Sequence, residues 1–382
     1  MIQQTHLFGN QHTIFGPGCI SQLKSLLVTP PLPTLVFINR SFASGEYWPL
    51  LQTEAGEQIA GVITVSHEAS PQELDEWVQK WRNRAKRVLA IGGGSVLDAA
   101  KAFSTLCLHP LPTARYLEKV GDTPLNGERL PLIAVPTTAG TGSEVTMNAV
   151  VTDQHHYHVK ASLRHPALVP DIALLDPQLL TKTPAPVLAC CAIDAFTHLF
   201  EAWLSSQSTV FSRSFSLQGM QLFVAGWPEL TRTDQRGEAA REKMMMASWL
   251  GGLTLSMAGL GVIHGLAGEA GALMPWHHGE VCGRLLLPFL HLTEQIQDPR
   301  QLSLIGELWQ GLFPDRSQEN PARQLADWLR ETAPYDLWQS PPALPGDTCR
   351  TILNKAGSKN SLITYTQQQM LYMLSESWPV SE

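Results

Sequence analysis

The sequence predicts two domains of different class: an α/β domain over residues 1–184 built on a mainly parallel sheet, and an all-helical domain over residues 185–382. Three observations predict this. Short apolar runs alternate with amphipathic helical patterns through the first half, and two of those runs end in loops rich in glycine or threonine. From about Leu188 strand-like runs disappear and long helical patterns take over. Thr183-Pro-Ala-Pro186 marks the boundary. A chain of 382 residues is also too long for one ordinary core and suits two domains of typical size.

Taken in order, Phe15-Gly-Pro-Gly18 is a turn signal, followed by the helical pattern Ile20, Leu23, Leu26 and Leu27. Thr34-Leu-Val-Phe-Ile38 lies between prolines and Asn39-Arg40 and reads as a buried strand; residues 61–65 read as the next. Ser70-Pro-Gln-Glu73 is a capping box with proline at the first helical position, and Leu74, Trp77, Val78 and Trp81 then mark one apolar helix face. Arg87-Val-Leu-Ala-Ile91 is a strand that runs straight into Gly92-Gly-Gly-Ser95 and a helix through Cys107. Leu132-Ile-Ala-Val135 is another strand, ending in Pro136-Thr-Thr-Ala-Gly-Thr-Gly-Ser-Glu144. In the second half Asn320-Pro321 opens a helix by a cap and a proline, and residues 365–378 form the last. Residues 244–263 are twenty without a charge, long enough to span a bilayer. Gly251, Gly252, Gly259 and Gly261 with Ser248, Thr254 and Ser256 dilute that run, so it reads as helices buried in protein and no membrane is expected.

Hydrophobic residues make up 44% and charged residues 16%, with 29 glycines and 27 prolines spread along the chain, which describes a loop-rich globular enzyme and not a disordered one. A net charge of -7 without any Lys/Arg run argues against a nucleic-acid partner and leaves a small ligand. The six cysteines show no Cys-x-x-Cys spacing, and the N-terminus has no basic region followed by an apolar one. Neither a disulfide framework nor a signal peptide is indicated, and the cytoplasm is the default compartment.

A strand that ends in glycines and opens a helix lets backbone N–H groups approach a pyrophosphate at the positive end of the helix dipole. Gly92, Gly93, Gly94 and Ser95 fit that pattern, as they also fit a plain tight turn; the spacing is not Gly-x-Gly-x-x-Gly. The loop from Pro136 to Glu144 adds hydroxyls at a second strand end, for a ribose or a nicotinamide, and two such loops on one sheet favour an extended nucleotide. An NAD-specific enzyme usually places an acid after the strand that ends at Ile38, to hold the ribose hydroxyls. Asn39 and Arg40 stand there instead. Neither repels a 2′-phosphate and the guanidinium can pair with one, so NADP is admitted alongside NAD; a surface arginine is the alternative reading.

Within Cys191-Ala-Ile-Asp-Ala-Phe-Thr-His-Leu-Phe-Glu201, Asp194 and His198 are four apart and share a helix face. His264 and His278 flank a glycine-rich apolar segment downstream. Three imidazoles and one carboxylate suit Fe(II), Zn(II) or another divalent ion, although Asp-x-x-x-His by itself is more often a hydrogen-bonded pair.

These motifs, in this order and spacing, resemble the iron-containing (group III) alcohol dehydrogenases, a family that includes lactaldehyde reductase, 1,3-propanediol dehydrogenase and butanol dehydrogenases. The resemblance rests on Phe15-Gly-Pro-Gly18, Ile91-Gly-Gly-Gly-Ser-Val-Leu-Asp-Ala-Ala-Lys101, the 136–144 loop, Asp194-Ala-Phe-Thr-His198 and the segment from His264 to Gly279. It implies an N-terminal dinucleotide-binding domain and a helical metal-binding domain, the plan shared with dehydroquinate synthase, with a catalytic cleft between them and a homodimer as the assembly. It carries metal ligation onto Asp194, His198, His264 and His278, and cofactor contacts onto Gly92, Gly93, Gly94, Ser95, Asp98, Thr137, Thr138, Thr141 and Lys160. The expected chemistry is hydride transfer between an alcohol or aldehyde and NAD or NADP. A dehydroquinate synthase-like or glycerol dehydrogenase-like enzyme is the alternative, and a non-catalytic binding protein on the same scaffold is a third reading.

The sequence departs from the family pattern at four places. Gly268 stands where the family usually has a histidine four residues after His264, which removes a proton carrier; His277, beside His278, is the candidate replacement. The usual Pro-His-Gly is here His277-His278-Gly279. Asn39 replaces the usual acid, and near the C-terminus Asn-Pro-Arg is reduced to Asn360-Ser361.

Overall fold

The computed structural model describes residues 5–153, 159–339 and 341–381. In the first half the strands are β1 (His12–Phe15), β2 (Thr34–Ile38), β3 (Ile59–Thr64), β4 (Arg87–Gly92), β5 (Leu132–Pro136), β6 (Asn148–Asp153), β7 (Val159–Arg164) and β8 (Ile172–Leu175). Six of them form one all-parallel sheet in the order β1-β8-β5-β4-β2-β3. Every residue of β2, β4 and β5 is buried, because parallel strands covered on both faces have no solvent side. That is why they read as continuous apolar runs and not as alternating ones.

The helices of this half are α1 (Leu23–Val28), α2 (Arg40–Ala43), α3 (Tyr47–Ala55), α4 (Pro71–Trp81) and α5 (Gly94–Leu106). Alternate strand residues serve two cores. Leu35, Phe37, Val88 and Ala90 pack with Leu74 and Val78 of α4 and Phe103 of α5. Val36, Ile38, Leu89 and Ile91 pack with Leu23 and Leu27 of α1 and Trp48 and Leu51 of α3. The capping box expected at Ser70 forms in both directions, Glu73 N donating to Ser70 Oγ at 3.3 Å and Ser70 N to Glu73 Oε2 at 2.9 Å. β6 and β7 are an antiparallel pair outside the main sheet, and the sequence reading did not foresee them. β6 buries Ala149, Val151 and Asp153 and leaves the residues between them half-exposed, so its period of two was present but unread.

The second half runs α6 (Ala185–Trp203), α7 (Val210–Gly226), α8 (Gln235–Ala258), α9 (Val262–Leu273), α10 (His278–Ile296), α11 (Pro299–Leu312), α12 (Pro321–Glu331), α13 (Gly346–Lys355) and α14 (Gln367–Ser377). A short parallel pair, β9 (Leu344–Pro345) with β10 (Val380–Ser381), interrupts the helical pattern. Asn320 does not cap α12 with its side chain; it takes the left-handed conformation, with φ 48° and ψ 58°, and Pro321 starts the helix. α6 is the buried axis against which α7, α8 and α10 pack. Glycine makes the approaches possible. A Cβ on Gly279 of α10 would stand 2.0 Å from the Cys190 carbonyl oxygen, and one on Gly219 of α7 would stand 2.6 Å from Leu199 Cδ2. The uncharged stretch 244–263 falls on the end of α8 and the start of α9, which meet at a 103° bend. Among the described residues only α6 is by itself long and apolar enough to cross a membrane, and 83% of that stretch is buried inside the protein.

Contacts divide the chain into two compact units, Phe8–Thr138 with Gly142–Thr181 in one, and Lys182–Glu382 with Ala139–Thr141 in the other.

Candidate active site

In the sheet unit β2 and β4 are neighbours, Ile38 opposite Ile91, yet β3 lies beyond β2 and β5 beyond β4. Their carboxyl ends therefore flank a topological switch point, where open α/β sheets bind ligands. Asn39 and Gly92 leave the sheet side by side there, Asn39 N donating to the Ile91 carbonyl at 3.3 Å. Gly93 is the N-cap of α5 and no side chain caps it, so the first turn offers backbone N–H groups at the positive end of the helix. Gly93, Gly94 and Ser95 are half-buried. A Cβ on Gly92 would lie 2.5 Å from Val96 Cγ2, so the turn into α5 admits no larger residue without displacing the helix. The second loop is tied to the first: Thr137 N donates to the Gly92 carbonyl at 2.9 Å, and Thr138 Oγ1 lies 3.2 Å from where a Cβ of Gly93 would be.

Other expected cofactor residues have work inside the protein. Asn39 caps α2, its Oδ1 accepting from Phe42 N at 2.9 Å, and Arg40 is exposed on that short helix. Asp98 accepts from Ser143 Oγ and, at 3.1 Å, from Val150 N, and it faces the fully buried Lys101 ammonium at 3.5 Å. It thus fastens α5 to residues 143–150. Lys101 also donates to Ser143 O at 2.9 Å and Thr146 Oγ1 at 2.8 Å. Lys160, on β7, pairs with Glu68 at 2.5 Å. Thr141 lies three residues beyond Thr138 and belongs with the helical unit.

Glu144 makes this loop pH-sensitive. Burial pushes its carboxyl up to about 7, against 4.5 for an ordinary glutamate. A raised acid favours the folded state below its unfolded value and loses that contribution as pH rises through the folded one. Stability should therefore fall between about pH 4.5 and 7, by on the order of 3 kcal/mol for a shift of this size. Denaturant unfolding of Glu144→Gln should show a shallower decline across that window, and parallel pH profiles for parent and variant would refute the assignment.

In the helical unit Asp194 and His198 stand one turn apart on α6, His264 lies in the first turn of α9 and His278 opens α10. The structure brings them together. From Asp194 Oδ1 the distances to Nε2 are 3.5 Å for His264, 3.8 Å for His278 and 3.9 Å for His198. Oδ1 is buried, and among the described residues no donor reaches it in ordinary hydrogen-bond geometry, the nearest imidazole nitrogen standing 3.5 Å away. Oxygen and nitrogen ligands about 2.1 Å from one tetrahedral ion stand about 3.4 Å apart, so these spacings fit a shared divalent ion. The Asp194, His198 and His264 side chains are 4%, 5% and 4% exposed and that of His278 is 30% exposed, so the cluster is open on its His278 side.

Charge is balanced within the cluster. Burial alone would raise the Asp194 carboxyl, but His198, His278 and His264 outweigh it and hold the group far below the usual carboxylate range. Burial lowers His198 to about 4, against the opposing pull of Asp194. Burial would lower His264 as well, but Cys282, Asp194 and Glu201 outweigh it and hold that imidazole well above its ordinary value, so an ion binding here displaces a proton from His264, whereas Asp194 and His198 already stand in donor form.

Sequence reasoning gave no role to Glu201, Cys282 or the tail. Glu201 sits seven residues after Asp194, on the same face of α6, and accepts His264 Nδ1–H at 2.6 Å. That bond leaves His264 Nε2 facing Asp194. Glu201 also accepts from Ile263 N at 2.8 Å and His264 N at 3.3 Å, capping α9 from another helix. A Cβ on Gly261 would be 2.8 Å from Glu201 Oε1, so the approach needs glycine. Ser361 Oγ accepts from Val262 N at 2.9 Å and Asn360 N donates to Leu260 O at 3.0 Å, so Asn360-Ser361 clamps the bend from which His264 projects. Cys282 Sγ lies 3.5 Å from His264 Nε2 and 3.7 Å from His278 Nε2. The helical spacings 194-198-201 and 278-282 were the available signals. His277, by contrast, is exposed at the N-cap of α10.

The chain matches known proteins along most of its length. Residues 10–177 match the family profile "Iron-containing alcohol dehydrogenase", and residues 188–334 match "Fe-containing alcohol dehydrogenase family, C-terminal". The chain is 41% identical over 299 residues to "Probable alcohol dehydrogenase EutG" of Escherichia coli (strain K12), covering 77% of this chain and 74% of that protein. It is 29% identical over 290 residues to "NADPH-dependent butanol dehydrogenase" of Clostridium saccharobutylicum, covering 73% and 74%. A crystal structure of 1,3-propanediol oxidoreductase has the same fold, with a TM-score of 0.83 at 21% identity, over 98% of this chain and 100% of that one. The chain therefore belongs to the iron-containing alcohol dehydrogenase family, metal-dependent NAD(P)-linked oxidoreductases that interconvert alcohols and aldehydes.

Proposed function

We propose that Asp194, His198, His264 and His278 hold the divalent ion, iron(II) first and zinc(II) or another ion as alternatives. NAD or NADP is held along Gly92, Gly93, Gly94, Ser95, Thr137 and Thr138. The observation that carries the reading is the buried Asp194 Oδ1, which three imidazole nitrogens surround at 3.5 to 3.9 Å and which no donor among the described residues reaches in ordinary hydrogen-bond geometry. A bound divalent ion supplies a Lewis acid for the alcohol or aldehyde oxygen, and a bound nicotinamide gives or takes the hydride. Asp194 supplies negative charge to the site, Glu201 orients His264, and the first-turn N–H groups of α5 are donors for a pyrophosphate. His277, exposed beside the half-buried His278, passes the proton to solvent. The test is oxidation of NADH and NADPH with a panel of short aldehydes, before and after removal of metal by a chelator. Activity should vanish with the metal and return with iron or zinc; full turnover by metal-free protein would end the proposal.

Cofactor choice turns on Arg40. Its pairing with a 2′-phosphate is worth about 1 to 3 kcal/mol, so Arg40→Ala should weaken NADPH binding by about that amount and leave NADH unchanged at fixed salt. Equal loss for both cofactors would place the discrimination elsewhere.

Gly268 bears on the substrate. It lies on α9 one turn after His264, and beyond its own helical turn no described residue stands within 4 Å of where its Cβ would be. The reading is a roomy pocket and a missing acid–base group. Gly268→His should raise the rate on a short aldehyde by up to about 10²-fold, the low end of acid–base participation, and weaken a bulky one. A folded, metal-loaded variant with both substrates unaffected would show that position 268 does not face the reacting groups.

A further inference from the structure

Cys282 follows His278 by one helical turn, so the two side chains share a face of α10. The donor atoms of Asp194, His264, His278 and Cys282 all lie within 4.8 Å of one another, a group that does not include His198. Sulfur and nitrogen ligands at about 2.3 Å and about 2.0 Å from one tetrahedral ion stand about 3.5 Å apart. The separations found are 3.5 Å to His264 and 3.7 Å to His278. The buried Asp194 Oδ1, which no donor among the described residues reaches in ordinary hydrogen-bond geometry, belongs to the same group and is the independent sign that these atoms await a cation. We propose that Cys282 is itself a ligand of the bound ion, adding a thiolate to the oxygen and nitrogen donors and raising the site's affinity for zinc relative to iron(II).

As the metal–sulfur bond forms, the sulfur donates an electron pair and the S–H proton leaves to solvent, as metal binding to cysteine requires. A thiolate is a softer donor than imidazole or carboxylate, and softness is what selects zinc over iron(II) in such sites. The inference rests on the metal assignment above, and its test separates the two.

The full chain is loaded with Co(II) and its near-ultraviolet absorption recorded. A sulfur-to-cobalt charge-transfer band should appear in the parent, persist in Cys349→Ser, whose thiol is buried on α13, and vanish in Cys282→Ser and Cys282→Ala. In the Cys282 variants the ratio of zinc to iron(II) affinity should fall by at least about tenfold. Should neither variant fold, X-ray absorption of the zinc-loaded parent decides, with a sulfur neighbour at about 2.3 Å expected. Stoichiometric metal binding with nitrogen and oxygen neighbours alone overturns the proposal and leaves Cys282 as a thiol hydrogen-bonded to two imidazoles. Failure of the parent to bind metal overturns the metal assignment and this proposal with it.

Discussion

His264→Ala should lose both the ion and part of the fold. Metal affinity is expected to drop by more than the 10-fold to 100-fold typical of changes one shell further out, because the variant removes a donor lying 3.5 Å from Asp194 Oδ1. The metal-free protein should also lose on the order of 3 to 5 kcal/mol, since Glu201 becomes a buried carboxylate without its 2.6 Å partner. The low end is expected, as the N–H groups of Ile263 and His264 continue to donate to Glu201. Equilibrium dialysis of the metal and denaturant unfolding without it measure the two losses separately. Unchanged metal stoichiometry would refute the ligand role, whereas an unchanged unfolding midpoint would refute only the account of Glu201.

Asp98→Ala should be comparably damaging, for a reason unrelated to metal. It leaves the Lys101 ammonium, fully buried, without its carboxylate, a class of change that costs about 3 to 5 kcal/mol. Burial has already lowered Lys101 to about 8, and without Asp98 it falls further; loss of the proton then limits the damage. Residues 143–150 lose the Asp98 part of their tie to α5 at the same time and keep the hydrogen bonds from Lys101. Nucleotide binding should weaken as a consequence of the loosened loop, in step with stability. A variant that melts like the parent yet binds NAD(P) poorly would show instead that Asp98 touches the cofactor. The double replacement Asp98→Leu with Lys101→Met should recover part of the stability, because it removes both buried charges together.

How much was legible in the sequence depends on how local each feature is. The capping box at Ser70, the buried strands at Thr34–Ile38 and Arg87–Gly92 and the glycine turn after the latter all depend on neighbours a few residues away, and all stand where the pattern puts them. The β6–β7 pair escaped notice because strand–helix alternation led the reading to expect only parallel strands. Asn320 was misread in detail, since an asparagine before a proline serves equally as a side-chain cap or a left-handed turn, and only φ distinguishes them.

By itself the sequence determined the fold class, because hydrophobic period and turn chemistry are properties of contiguous residues, and its motifs in their order carried the resemblance to the family and, through it, the four metal-binding candidates. Only the tertiary structure decided what those candidates meet. That Glu201 caps α9 and turns His264 toward Asp194, that Asn360-Ser361 clamps the bend before α9, and that Cys282 lies against His264 all depend on elements distant in sequence. Their approach is set by close packing through Gly261 and Gly279, where a single added carbon would stand 2.8 Å from Glu201 Oε1 and 2.0 Å from the Cys190 carbonyl oxygen. Such distances arise from the packing of the helices together, and no one-dimensional pattern encodes them.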